Sequence, residues 1–311
     1  MSTVAFSPDG LRVVTGDTFG TATLWDPKRP RRPAMTLAAR TPQETTLWTV
    51  AFSPDGRTIV TAGGDEARLW GMGVDRPVLT LPRQPATVDR VIFSPDGMLM
   101  VTSGGGDVRV WRTSDGHSVA VLEGGVGKGP RPGVNTSSDA GDAVGFSRNG
   151  RRFLTIRGRG TSVWDTGSWD KVADLTTTPS RATRRFFFGV QGIISPDGKR
   201  VATWDGGRIR LWNATTGRPT GAVLPAAGAS FSPDGKLLVT TEFAKTTFWR
   251  VSDGRRVPSP IKPASAFGAP ALASLSRALS APRTDRGTSL RGRRADRNVE
   301  LVLRDPRRRG R

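Results

Sequence analysis

The side chains that drive most enzyme chemistry are scarce in this chain. Its 311 residues include one histidine, His117, and no cysteine. Thiol nucleophiles, thiolate metal sites and disulfides are excluded, and no Ser-His-Asp or Cys-His device is left. Zinc sites fail on ligand count. Carboxylates are more numerous, but Asp9, Asp55, Asp96, Asp197 and Asp234 recur at one position of a repeated phrase, where aspartate has a backbone role. Asp139 and Asp142 fall in or beside a Gly/Pro/Ser-rich stretch, where a solvated loop competes with a cation site. The run Gly124–Gly129 resembles a phosphate loop. Leu122, however, stands where its first glycine is needed, and Gly129 where Ser or Thr is needed. These residues predict no catalytic group, no cofactor and no metal.

What the chain has instead is repetition. Phe-Ser-Pro-Asp-Gly begins at Phe6, Phe52 and Phe93, degrades to Phe-Ser-Arg-Asn-Gly at Phe146, and returns at Ile194 and Phe231. A tryptophan trails each copy by 19 residues in the first and 18 in the other five: Trp25, Trp70, Trp111, Trp164, Trp212 and Trp249. Proline presets one turn dihedral, Asp or Asn bonds nearby amides, and glycine takes the left-handed position, so the phrase predicts a reversal between strands. The next strand has apolar residues on both of its faces, as in Ile59-Val60, followed by threonine in every copy (Thr15, Thr61, Thr102, Thr155, Thr203, Thr240). A third strand ends in an apolar residue and Trp, and a weaker fourth follows, as at Pro77–Leu81. A four-stranded sheet apolar on both sides needs a like neighbour on each side, which radial stacking supplies. A β-sandwich would leave one face of each strand wet.

The pattern resembles the WD-repeat family of β-propellers over about residues 2 to 257. Leu24-Trp25-Asp26 and Val163-Trp164-Asp165 match the signature dipeptide, and Leu211-Trp212-Asn213 nearly does. The resemblance implies an all-β propeller of six recognisable blades with a degenerate seventh as the alternative count. It also implies a non-catalytic protein–protein interaction scaffold of bacterial, actinobacterial type. The family's buried network usually begins with a Gly-His pair before the first strand. His117 is not so placed, and the reading expects that network to be absent. In the family, residues where first strands begin and in the hairpin after the second strand line the partner-gripping face. That logic selects Trp48, Asp65, Glu66, Asp89, Arg90, Asp107, Asp142, Arg184 and Arg185. Trp48, four residues before Phe52, is the large aromatic among them.

The formal charge is +20, with 40 Arg against 7 Lys. Residues 258–311 hold 13 basic and 4 acidic residues. An arginine-rich, Ala/Gly/Pro-rich composition fits a GC-rich genome without any ligand, so nucleic acid is not expected as a partner. Binding of polyanions through the tail remains an alternative function, as does a propeller enzyme with a metal in its channel. Residues 258–311 read as a disordered basic tail or a decayed seventh repeat, because Val299–Pro306 echoes Thr21–Pro27. Met1 runs straight into a strand, which favours a piece of a longer gene product and gives no leader segment. No run of 18 apolar residues suggests a membrane span. The absence of cysteine suits a reducing cytoplasm.

Overall fold

The computed structural model describes residues 3–29, 31–38, 47–105, 107–123, 142–157, 160–176, 191–204, 207–221, 223–225, 228–242, 245–258, 292–295 and 298–301. They form six four-stranded antiparallel sheets and one two-stranded hairpin. The first sheet is β1 (Thr3–Phe6), β2 (Val13–Gly16), β3 (Thr21–Trp25) and β4 (Pro33–Ala38). The second is β5 (Thr49–Phe52), β6 (Thr58–Gly63), β7 (Glu66–Gly71) and β8 (Pro77–Thr80). The third is β9 (Arg90–Phe93), β10 (Leu99–Gly104), β11 (Asp107–Arg112) and β12 (Ser118–Glu123). The fourth is β13 (Asp142–Phe146), β14 (Arg152–Arg157), β15 (Gly160–Asp165) and β16 (Lys171–Thr176). The fifth is β17 (Gln191–Ile194), β18 (Arg200–Trp204), β19 (Arg208–Asn213) and β20 (Leu224–Pro225). The sixth is β21 (Gly228–Phe231), β22 (Leu237–Glu242), β23 (Lys245–Arg250) and β24 (Arg256–Val257). Hairpin strands β25 (Gly292–Ala295) and β26 (Asn298–Leu301) pair with each other alone.

Each repeated phrase is a closed hydrogen-bonded turn. In the second copy the Ser53 hydroxyl donates to Asp55 Oδ1 (2.6 Å) and accepts from the Thr58 amide (2.9 Å). Asp55 Oδ1 also accepts from the Arg57 amide (3.0 Å). The amide of Gly56 donates to the Ser53 carbonyl (2.9 Å), and Gly56 sits at φ 70°. That left-handed value is the one the phrase reserves for glycine. The same set recurs in all six copies, with Asn149 Oδ1 replacing the carboxylate in the fourth. The phrase therefore fixes the register of the first two strands, for example Phe52 opposite Ile59.

The invariant threonine also acquires a role. In every sheet the tryptophan indole N–H donates to it, from Trp25 to Thr15 (2.9 Å) through Trp249 to Thr240 (2.8 Å). This indole–threonine bond forms without any histidine. In the third sheet Gln84 extends it, its Oε1 accepting from the Thr102 hydroxyl (2.8 Å) while that oxygen accepts from Trp111 (2.9 Å). A buried indole N–H left without an acceptor would cost free energy, and a hydroxyl on the neighbouring strand meets that need.

The sheets stack face to face through five apolar cores. In the first, Val14, Ala22, Leu24 and Leu37 on the front of sheet one meet Val50, Phe52, Ile59 and Trp70 on the back of sheet two. The same division recurs at each later junction. Aliphatics from the front of one sheet, such as Leu154, Val163 and Leu175, meet Val201 and the tryptophan Trp212 of the next. First strands of successive sheets, β1 to β5 to β9 to β13 to β17 to β21, touch one another, so they form the inner row of a propeller-type stack. Both faces of inner sheets are covered. In β6 five of six residues are buried, which a sandwich with one wet face would not produce.

Among the described residues no sixth core joins the last sheet to the first. The back of sheet one is open: Val4 is 48% exposed, whereas its equivalents Val50 and Val91 are 4% and 5% exposed. No described helix is long and apolar enough to cross a membrane.

Candidate functional site

The candidate surface is built from the hairpins after second strands and the segments that lead into first strands. Both lie at one end of the stack because every sheet runs its first strand away from that end and its second strand back. At the junction of sheets one and two, the Leu47 amide donates to the Asp17 carbonyl (3.1 Å). The next amide, of Trp48, donates to the Ala62 carbonyl (3.0 Å). These bonds pin the backbone of Trp48 while 55% of the residue stays exposed. It does not pack beneath a loop.

The adjoining hairpin of sheet one carries an aromatic that the sequence reading missed. Phe19 is 76% exposed. Asp17 Oδ1 accepts from the amides of both Phe19 (2.9 Å) and Thr21 (2.8 Å), which fixes the hairpin that presents the ring. The signal was available: a large aromatic between polar and glycine residues in a predicted turn, Asp17-Thr18-Phe19-Gly20, has no core to fill.

The charged candidates are arranged as pairs. Arg68 donates to Glu66 Oε2 (2.7 Å), and Arg83 reaches both Asp65 (3.5 Å) and Glu66 (3.4 Å). Asp107 pairs with Arg109 (3.1 Å). Asp65, Glu66 and Asp107 are therefore balanced by arginines of their own sheets and do not form an acidic pocket. Asp89 and Arg90 lead into and begin β9, with the Asp89 amide donating to the Ser103 carbonyl (2.9 Å). Asp142 begins β13, opposite Ile156. Arg184 and Arg185 lie outside the described residues, as do residues 124–141, which hold the phosphate-loop look-alike and Asp139. The structure thus brings Trp48, Asp65 and Glu66 together around sheet two, with Phe19 added. Asp107, Asp89 and Arg90 belong to the neighbouring third sheet.

Most titrating groups with shifted pKa are turn residues, and none is a member of this surface. Asp9, Asp55, Asp96 and Asp234 are held below the ordinary 3.8 chiefly by the hydroxyl of the turn serine, then by a backbone amide two residues on. For Asp197, burial acts to raise the value and is outweighed by Ser195 and the Lys199 amide. Each shift is that of a carboxylate spent on backbone geometry. Among the described residues no group of three or more His, Asp or Glu is placed to hold a metal ion.

Two stretches of the chain, residues 34–70 and 75–112, match the family model described as WD domain, G-beta repeat. Those two stretches are WD repeats. Each matched WD repeat starts at the outer strand of one sheet and ends at the tryptophan, or one residue beyond it, of the next. The sequence unit is therefore staggered against the structural blade, and every WD repeat carries one junction inside it. Comparison of the chain with curated proteins finds no match. WD-repeat domains generally serve as non-catalytic scaffolds for protein–protein contact.

Proposed function

We propose that this propeller is a protein-interaction scaffold without catalysis of its own, and that the partner engages the hairpin end of sheets one to three. The observation that carries this reading is the pair of exposed aromatics, Trp48 and Phe19, held on adjacent hydrogen-bonded loops of a rigid stack. Large rings with few rotatable bonds lose little entropy when a partner covers them and are typical dominant contributors to interfaces. The paired charges Asp65–Arg83 and Asp107–Arg109 form the polar margin, where they set orientation and discriminate against wrong partners more than they add affinity. Asp89, Arg90 and Asp142 complete the proposed margin, and Arg184 and Arg185 are further candidates on the sequence alone. A cysteine-free, arginine-rich composition supports a bacterial cytoplasmic setting for this role.

Site-specific photo-crosslinking in the native host tests it. A photoreactive residue replacing Trp48 is expected to capture a defined protein. The same residue at Met98, exposed in a turn phrase at the other end of the stack, is expected not to capture it. Adding Phe19→Ala should weaken capture at position 48, because an anchoring aromatic commonly contributes about 2 kcal/mol or more. Identical capture at both positions, or none at position 48, overturns the assignment.

A further inference from the structure

One of the six turn phrases departs from the rest in charge but not in geometry. The fourth has Arg148 where the other five have proline, and Asn149 where they have aspartate. Its turn is nevertheless complete. Asn149 Oδ1 accepts from the Ser147 hydroxyl (2.8 Å) and the Arg151 amide (3.1 Å). The Ser147 hydroxyl accepts from the Arg152 amide (3.0 Å), and Gly150 keeps a φ of 71°. A neutral amide thus makes the bonds that a carboxylate makes elsewhere, and the turn itself does not dictate the charge it carries.

The fourth turn is also bonded to the fifth. The Asn149 amide donates to the Pro196 carbonyl (3.1 Å), and its Nδ2 donates to the Asp197 carbonyl (2.9 Å). The two turns form one surface. With the two residues after each phrase included, it carries Arg148, Arg151, Arg152, Lys199 and Arg200. Arg152 is spent on Asp165. Among the described residues the other four form no ion pair, and Arg148, Arg151 and Lys199 are exposed. Asp197 is the single carboxylate of the two phrases, and its Oδ1 already accepts from the Ser195 hydroxyl and the Lys199 amide. The first, second and sixth turns instead set one cation (Arg12, Arg57 or Lys236) against one aspartate, and the third has Asp96 alone. The cations are therefore gathered at one place on the turn end, where they focus a field that attracts anions.

A patch two turns wide suits a short acidic stretch, whose carboxylates pair with guanidinium forks. Nucleic acid fits less well. Single strands need exposed rings for their bases to stack on, and the exposed aromatics among the described residues, Phe6, Phe19 and Trp48, belong to sheets one and two. Trp169, in a loop of sheet four, is instead engaged edge-on with Phe146 and Phe153 (centroids 6.3 and 6.2 Å apart). A duplex needs a longer row of phosphate contacts than two turns supply. We infer that turns four and five form a second docking surface, at the end of the stack away from Trp48, for an acidic segment of a protein partner. It shares no residue with the Trp48 surface and stands or falls independently of it.

Residues 258–311, with 13 basic and 4 acidic residues, also attract anions, so the test must read position as well as amount. Hexaglutamate carrying a benzophenone is photolysed with the full-length chain at low salt, and its attachment sites are mapped by mass spectrometry. Attachment is expected at residues 146–152 and 194–200. Arg148→Pro with Asn149→Asp restores the phrase of the other five turns, so this variant should fold, as a thermal melt checks. Its attachment at the two turns should drop about tenfold, because one surface cation is lost and one anion gained. Attachment confined to residues 258–311, or equal attachment of parent and variant at the two turns, overturns the inference. So does stronger suppression of turn attachment by oligothymidylate than by unlabelled hexaglutamate, which would assign the surface to nucleic acid.

Discussion

Threonine nine or ten residues before each tryptophan supplies the acceptor for an indole N–H that packing has removed from water. In the second sheet Thr61 and Trp70 are each 1% exposed, whereas Thr15 and Trp25 of the first sheet are half-buried. Thr61→Val should therefore cost about 1–3 kcal/mol, the usual cost of orphaning a buried donor, and Thr15→Val distinctly less. Denaturant melts of the two variants check the difference. The turn carboxylates give a pH prediction. Asp9, Asp55, Asp96, Asp197 and Asp234 have folded pKa values below 3.8, so the unfolded chain binds protons more readily. Their stabilising contribution is complete well above pH 3.8 and is lost as pH falls through the folded values. Asp55→Asn with Asp96→Asn, copying the Asn149 already used in the fourth turn, should flatten this acid limb of stability. A pH series of melting temperatures reads it. The turn role of these aspartates was legible from the phrase alone. The threonine's partner was not, because it lies on another strand and its choice depends on which face the tryptophan takes.

At the scale of the element, strands and turns were readable because each repeat restates them, and the blade boundaries followed from the tryptophan spacing. The fourth strands were harder. β8 forms as predicted, but the fifth sheet keeps only Leu224–Pro225 and an isolated bridge between Trp212 and Pro219. Edge strands are held from one side alone, so their sequences are less constrained than those of the inner three. Loop crossings were not readable at all. The segment before β9 passes so close to β10 that a Cβ on Gly104 would lie 1.8 Å from the Thr87 carbonyl oxygen. The backbone there also donates from Val88 to the Gly64 carbonyl (2.6 Å) and from Asp89 to Ser103 (2.9 Å). Gly104→Ala must displace that crossing and should cost about 1–3 kcal/mol. Hydrogen exchange should locate the loss at residues 85–93 and not in the distant fifth and sixth sheets.

For the whole molecule, repetition makes stability a chain of near-neighbour interfaces. A cavity-forming change at an inner junction, such as Leu69→Ala where Leu69 is 2% exposed, removes contacts from two sheets and should cost about 2–5 kcal/mol. The same class of change on the open back of sheet one, Val4→Ala, should cost well under half of that. Comparing the two variants by thermal melting measures how far the first sheet is coupled to the rest. The candidate surface was only partly legible at this scale. Trp48 followed from its place ahead of β5, while the pairing of Asp65, Glu66 and Asp107 with arginines required knowing which strands lie side by side.

The repeat tryptophans also differ in a way that can be seen with light. Trp70, Trp111, Trp164 and Trp212 are dry, while Trp25 and Trp249, in the first and last sheets, are partly wet. Acrylamide should therefore quench the two outer indoles before the four inner ones. On warming, red-shifted emission should appear first from the outer blades, with the unravelling travelling inward from the flanks.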